Sequence, residues 1–168
     1  MVGNINSNYT IDSVDREILS YLVANARIPF AEIAKELIVS PGTIHARVRK
    51  MEERGIIKKY SISINYTDLG YRFTAYLGIF VDQTSNSEQI VKELKKIPEV
   101  TVAHLVTGQY SVFCKIRTQD TSHGKDVIYR INTIAGILRT ETMISLEETI
   151  NSSEALIRSI FDIKDRPT

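Results

Sequence analysis

Up to residue 55 the apolar residues of this chain recur only at helical spacing; beyond it, β-prone runs take turns with helical stripes. That switch restricts the fold to an α+β architecture whose N-terminal part is helical. Three helices fit that part. Val14, Ile18, Leu19 and Leu22 form a stripe over 13–24, with Asp12 or Ser13 as cap. The stretch from Asn25 to Pro29 interrupts, because proline disfavours helix in the residue before it. Ile33, Ala34 and Leu37 share a face over 30–37, and Ile38-Val39 makes a tight connection. Ser40 then offers a capping oxygen, Pro41 takes the first helical position, and Gly55 stops a third helix near Arg54.

Ile57, Tyr60, Ile62 and Ile64 alternate with polar residues, which predicts a strand over 56–64. Residues 65–71, with Asp68 and Gly70, read as a turn and a domain boundary. The rest reads strand (73–81), helix (87–97), strand (100–106), strand (111–116), helix (125–134) and strand (138–146), with a hairpin turn at Gly108. This βαββαβ order is the ferredoxin-like pattern. The expected domains are a winged-type helix-turn-helix over 1–64, a linker over 65–71, a ferredoxin-like domain over 72–150 and a tail over 151–168. Leu156, Ile157, Ile160, Phe161 and Ile163 give the tail enough apolar surface to dock.

Composition narrows the function classes. No apolar run reaches the ~18 residues of a membrane span. The first ten residues are polar and uncharged, unlike a signal peptide, so a cytoplasmic protein is expected. The single cysteine, Cys114, excludes an internal disulfide and a multi-cysteine zinc site. The net charge of +1 is unevenly placed. Residues 1–65 hold nine Lys/Arg against seven Asp/Glu, hence +2. Six of the nine, Arg47, Arg49, Lys50, Arg54, Lys58 and Lys59, fall between residues 43 and 59.

Two short helices joined by a tight turn can set the second in the major groove of DNA. Ile44, Val48 and Met51 form the inward stripe of the third helix. Gly42, Ala46 and Arg49 project roughly opposite, flanked by Thr43, His45 and Lys50. Small Gly42 and Ala46 let the helix approach base edges, while His45 and Arg49 donate hydrogen bonds, arginine by preference to guanine. Arg47 lies nearer the core edge, suited to a phosphate or to bracing the fold. Ser40, Pro41 and Gly42 open the helix, whose free N–H groups suit a phosphate. Lys58 and Lys59 are placed for phosphates as well.

Catalysis finds little support. His45, His104 and His123 are dispersed, without a metal-ligand spacing, and no glycine-rich phosphate loop is present. Cys114 lies in an apolar run and reads as a core thiol, Ser111 has no nearby base, and Glu147-Glu148 point to opposite faces of an extended chain. No metal, no cofactor and no enzyme activity are expected. The turn Thr107-Gly108-Gln109-Tyr110-Ser111 is richer in hydrogen-bonding groups than a plain hairpin needs, and Gly108 can turn its N–H groups toward a carboxylate. Leu105 and Thr142, on neighbouring strands, are weaker candidates for the wall of that site. In the 73–81 strand both alternating sets hold apolar residues, so both faces are expected to be covered, one by the domain's own helices and the other by a second chain through Tyr76 and Phe80.

The segments Asn25-Ala26-Arg27, Phe30-Ala31-Glu32-Ile33-Ala34-Lys35, Val39-Ser40-Pro41-Gly42-Thr43-Ile44-His45, Arg47-Val48, Lys50-Met51-Glu52 and Gly55-Ile56-Ile57 resemble the helix-turn-helix of the Lrp/AsnC, or feast/famine, transcription regulators. The resemblance continues through Leu69-Gly70-Tyr71, the turn at 106–111 and Glu141-Thr142. It is strongest toward the asparagine-responsive branch, through residues 40–45 and 107–111. It implies a DNA-binding regulator that dimerises through ferredoxin-like domains and assembles further, to octamers. It also implies an amino-acid effector, asparagine first, bound between dimers near the 107–111 turn. Many relatives it resembles carry Asp where Ser111 stands, and Asp would pair with an ammonium group. The alternative is an architectural DNA-binding protein without an effector.

Overall fold

The computed structural model describes residues 9–82 and 87–161. The polar residues 1–8 and Ile163 of the tail lie outside the described residues. The chain divides into two compact units, one drawn from Met1–Ser63 and Ile150–Thr168, the other from Ile64–Thr149.

In the first unit, α1 (Ser13–Ala24) starts in a capping box. The Asp12 carboxylate accepts from the Asp15 amide at 2.9 Å, and Asp15 accepts in return from the Asp12 amide. α2 (Phe30–Glu36) and α3 (Pro41–Glu53) follow, the latter capped by Ser40 Oγ, which accepts from the Thr43 amide at 3.1 Å. Ile18, Ile33, Ile44 and Met51 are fully buried at the centre, with Leu19, Leu22, Ala34 and Val48 around them.

α2 and α3 end alike. The Ile38 amide donates to Lys35 O at 3.3 Å and the Val39 amide to Ala34 O at 3.0 Å. After α3 the Gly55 amide donates to Glu52 O and the Ile56 amide to Met51 O, both at 2.9 Å. This two-bond pattern places one residue in the left-handed region. Gly55 (φ 70°) fills it after α3, but Ile38 (φ 55°) fills it after α2.

Residues 56–64 do not form the expected strand. Alternation provides two faces, but a strand also needs a partner for its amides and carbonyls, and no described segment pairs with this one. The Ile56 and Ile57 amides both donate to Met51 O, Ile57 packs on the helical core, and Tyr60 donates to Glu52 at 3.0 Å. Ile62 stays 77% exposed.

In the second unit, β1 (Phe73–Val81), α4 (Ser87–Leu94), β2 (Val100–Leu105), β3 (Val112–Thr118), α5 (Thr121–Asn132) and β4 (Ile137–Ile144) build one antiparallel sheet of order β2-β3-β1-β4. This is the ferredoxin-like arrangement. α5 starts at Thr121, ahead of the expected 125, because the Asp120 carboxylate accepts from the His123 amide at 2.8 Å and caps it. One sheet face, with Ala75, Leu77, Ile79, Val112, Cys114 and Ile116, is sealed by Ile90 and Leu94 of α4 and Val127 and Ile131 of α5. The Cys114 thiol, fully buried there, is pushed up to about 11 by burial. Behind α5, Glu99 holds His123 Nε2 at 3.1 Å and Arg130 at 2.8 Å.

The tail returns to the first unit. α6 (Glu154–Phe161) packs along α1, with Phe161 against the helical core and the Arg16 guanidinium 5.9 Å from its ring centre.

Candidate nucleic-acid interface and effector turn

The core stripe of α3 fixes what the helix shows to solvent. With Ile44, Val48 and Met51 buried, Pro41, Gly42, His45, Ala46, Arg49 and Lys50 are exposed, and Thr43 is half-buried with its hydroxyl 2.9 Å from Ser40 Oγ. Seven sequence candidates thus lie on or beside one surface. Arg49 is 81% exposed and donates to Glu53 of its own helix at 2.9 Å. His45 meets the Phe30 ring edge-on at 4.7 Å, so α2 braces it. Lys50 lies 4.4 Å from the Tyr9 ring centre.

Arg47 is placed differently. Its guanidinium donates to Asp12 at 2.6 Å and to Asp15 at 2.9 Å. Asp15 is 1% exposed and also accepts from Tyr9 at 2.6 Å. Burial and that carboxylate together push the Tyr9 phenol up to about 12. Arg47 therefore ties α3 to the start of α1 and is occupied by carboxylates. Lys58 and Lys59 are exposed on the unpaired segment and line a groove floored by Leu19, Leu22 and Ile157.

The effector candidates split between the two sheet faces. Leu105 pairs with Val112, and Thr142 with Leu77, in register with the helix-covered side. Tyr110 goes the other way. Its ring lies over Gly78 on the uncovered face, and its hydroxyl donates to Glu141 Oε2 at 2.7 Å. Thr107, Gly108 (φ 110°) and Gln109 are exposed between them. The turn's ends are pinned: the Val106 amide donates to Ser111 O at 3.2 Å and the Ser111 amide to Ile79 O at 3.0 Å.

The uncovered face is aromatic and charged. Tyr76 stacks on Phe113 at 5.8 Å, Tyr110 meets Phe80 edge-on at 5.1 Å, and Arg139 lies 3.6 Å over Phe80. Arg139 also donates to Glu141 Oε1 at 2.6 Å, and Lys115 to Glu148 at 2.9 Å. Sequence reasoning assigned no role at the effector turn to Gly78, Arg139 or Glu141, although Glu141 stood in a segment that carried the resemblance. A glycine inside an apolar strand signals close approach of another group, which was the available cue for Gly78; Arg139 and Glu141 join the cluster only through register.

Comparison with known proteins agrees with both halves. Residues 11–58 match the family profile described as winged helix-turn-helix DNA-binding, and residues 74–155 the Lrp/AsnC ligand binding domain. The chain is 41% identical to the regulatory protein AsnC of Haemophilus influenzae, over 84% of this chain and 95% of that one. The solved structure of Escherichia coli AsnC superposes with a TM-score of 0.80 at 39% identity, covering 85% of this chain and 97% of that one. A feast or famine regulatory protein from M. tuberculosis, solved with L-methionine, gives a TM-score of 0.80 at 28% identity, covering 84% and 96%. No helix among the described residues is long and apolar enough to cross a membrane. The helix-turn-helix with the exposed face of its third helix, the ferredoxin-like sheet and these similarities agree: the chain belongs to the Lrp/AsnC family of DNA-binding transcription regulators.

Proposed function

We propose that the chain binds an imperfect palindrome as a dimer, reading bases through His45 and Arg49, with Gly42 and Ala46 allowing close approach. Ser40, Pro41, Thr43, Lys50, Lys58 and Lys59 serve the phosphates, and Arg47 braces the reading helix. The observation that carries this reading is the sorting of α3, apolar and buried on one side, small or basic and exposed on the other. A two-fold protein favours a two-fold site. The second chain docks on the uncovered sheet face around Tyr76 and Phe80. That face combines rings with Lys115, Arg117 and Arg139 beside Glu141 and Glu148, so it can pair with a copy of itself. Dimers assemble further, to octamers.

The effector is a small uncharged amino acid at the 107–111 turn. Asparagine comes first because of the resemblance to the AsnC branch and because residues 107–111 are uncharged. Methionine is the necessary comparison, since it occupies the M. tuberculosis relative. The response is a shift in assembly or DNA affinity, set by the difference in ligand affinity between two states. The test is selection of DNA from a random pool with and without amino acids. Enrichment of one palindrome, altered by asparagine, is expected. An unenriched pool removes the DNA half of the reading, and identical results with every amino acid remove the effector half.

A further inference from the structure

The interior of the effector turn has a tie that runs outside the hairpin. Tyr110 crosses β1 and ends on β4, donating to Glu141 at 2.7 Å. It can cross only because residue 78 lacks a side chain: a Cβ there would lie 2.4 Å from the ring. Phe80 and Phe113 flank the ring at 5.1 and 6.2 Å, so its orientation is fixed on three sides. Arg139 takes the other oxygen of Glu141 at 2.6 Å and holds the carboxylate for the phenol. The two bonds also agree electrostatically. Glu141 is held below the ordinary carboxylate value by Tyr110 first and Arg139 second, and Tyr110 is raised in turn by Glu141.

We propose that Gly78 and Glu141 are positioning residues of the effector turn, setting its shape for the amino acid by fixing Tyr110 against the sheet. The inference rests on the effector reading above. The turn's two ends are pinned by backbone bonds, and Tyr110 orients the segment between them. A turn preset in its binding shape loses less freedom when the ligand arrives. Loss of this preset shape is expected to weaken binding about two- to tenfold.

The experiment is calorimetry of the full chain with asparagine and with methionine, on wild type, Tyr110→Phe, Glu141→Gln and the double variant, with thermal unfolding measured alongside. Each single variant is expected to weaken binding about two- to tenfold, and the double variant no further, because either change removes the same bond. Gly78→Ala is expected to weaken binding in the wild-type background and to have no effect once Tyr110→Ala has removed the ring. A merely structural role would lower the unfolding temperature without this non-additivity. Single variants that bind as wild type, or losses that add, overturn the positioning role alone. A wild type that binds neither amino acid overturns the positioning role together with the effector reading.

Discussion

Replacing Ile38 should stabilise the DNA-binding unit. Ile38 stands where the cap of α2 requires a left-handed residue, with φ 55°. That conformation costs an ordinary L-residue roughly 1–2 kcal/mol, and a β-branched one belongs there least. Its side chain is 92% exposed, so removing it forfeits almost no packing. The bonds that close the cap, Ile38 N to Lys35 O and Val39 N to Ala34 O, use only backbone atoms and survive the change. Against the gain stands the greater freedom of glycine in the unfolded chain, about 0.4–1 kcal/mol. The net for Ile38→Gly is about 0.5–1 kcal/mol of stabilisation, or about 2–8 °C in Tm for a domain of this size. α3 supplies the mirror-image control. Gly55 occupies the same place in the same cap, with open space where a Cβ would go, so Gly55→Ala tests conformation alone. It should cost about 1 kcal/mol. Scanning calorimetry of the full chain reads both. A lower Tm for Ile38→Gly, or no loss for Gly55→Ala, would refute the argument from left-handed strain.

Other expectations separate the roles of neighbouring side chains. Arg49→Ala and His45→Ala should each weaken the selected palindrome by about 1–3 kcal/mol without changing Tm, whereas loss of Lys50, Lys58 or Lys59 should weaken all sequences alike and reduce the salt slope by about one; gel shifts at several salt concentrations distinguish these outcomes. Arg47→Ala should instead lower stability by about 1.5–3 kcal/mol, because Asp15 is left buried with one charged partner fewer, and an unchanged midpoint in urea unfolding would contradict the bracing role. Acid should loosen both units. Asp12 is held below 3.8, first by the Asp15 amide and then by Arg47. Burial raises Glu99, but its own amide, His123 and Arg130 outweigh that and hold it below 4.5. Folded values below unfolded ones give stability that is present above about pH 4.5 and lost as pH falls through the lowered values. Glu99→Gln should flatten part of that slope in urea titrations, and an unchanged slope would exclude Glu99 as its source. Phe80→Asp in the full chain should yield monomers in light scattering, and a persistent dimer would move the interface elsewhere.

The sequence was most informative where structure is local. The caps at Asp12 and Ser40 and the stripe Ile44-Val48-Met51 define α1 and α3 from neighbouring residues alone, so the exposed face of α3 followed directly. It was least informative where geometry depends on a partner. The alternation over 56–64 predicted a strand, yet pairing is a property of two segments. The sequence suggests Thr142 for the wall of the site at the 107–111 turn, but strand register puts Thr142 and Tyr110 on opposite faces of one sheet. The Glu99-His123-Arg130 cluster joins Glu99 to two residues more than twenty positions further on, and no spacing rule points to it.

The return of α6 to α1 makes the DNA-binding unit discontinuous in sequence, with the ferredoxin-like unit inserted between residues 63 and 150. A fragment cut at the apparent boundary near residue 64 would keep the whole reading helix yet lack Phe161 and Ile157, baring apolar surface on α1. The consequence is practical. Domain exchanges among such regulators should move two pieces of chain together, and a deletion that removes α6 should behave as a lesion of the N-terminal domain.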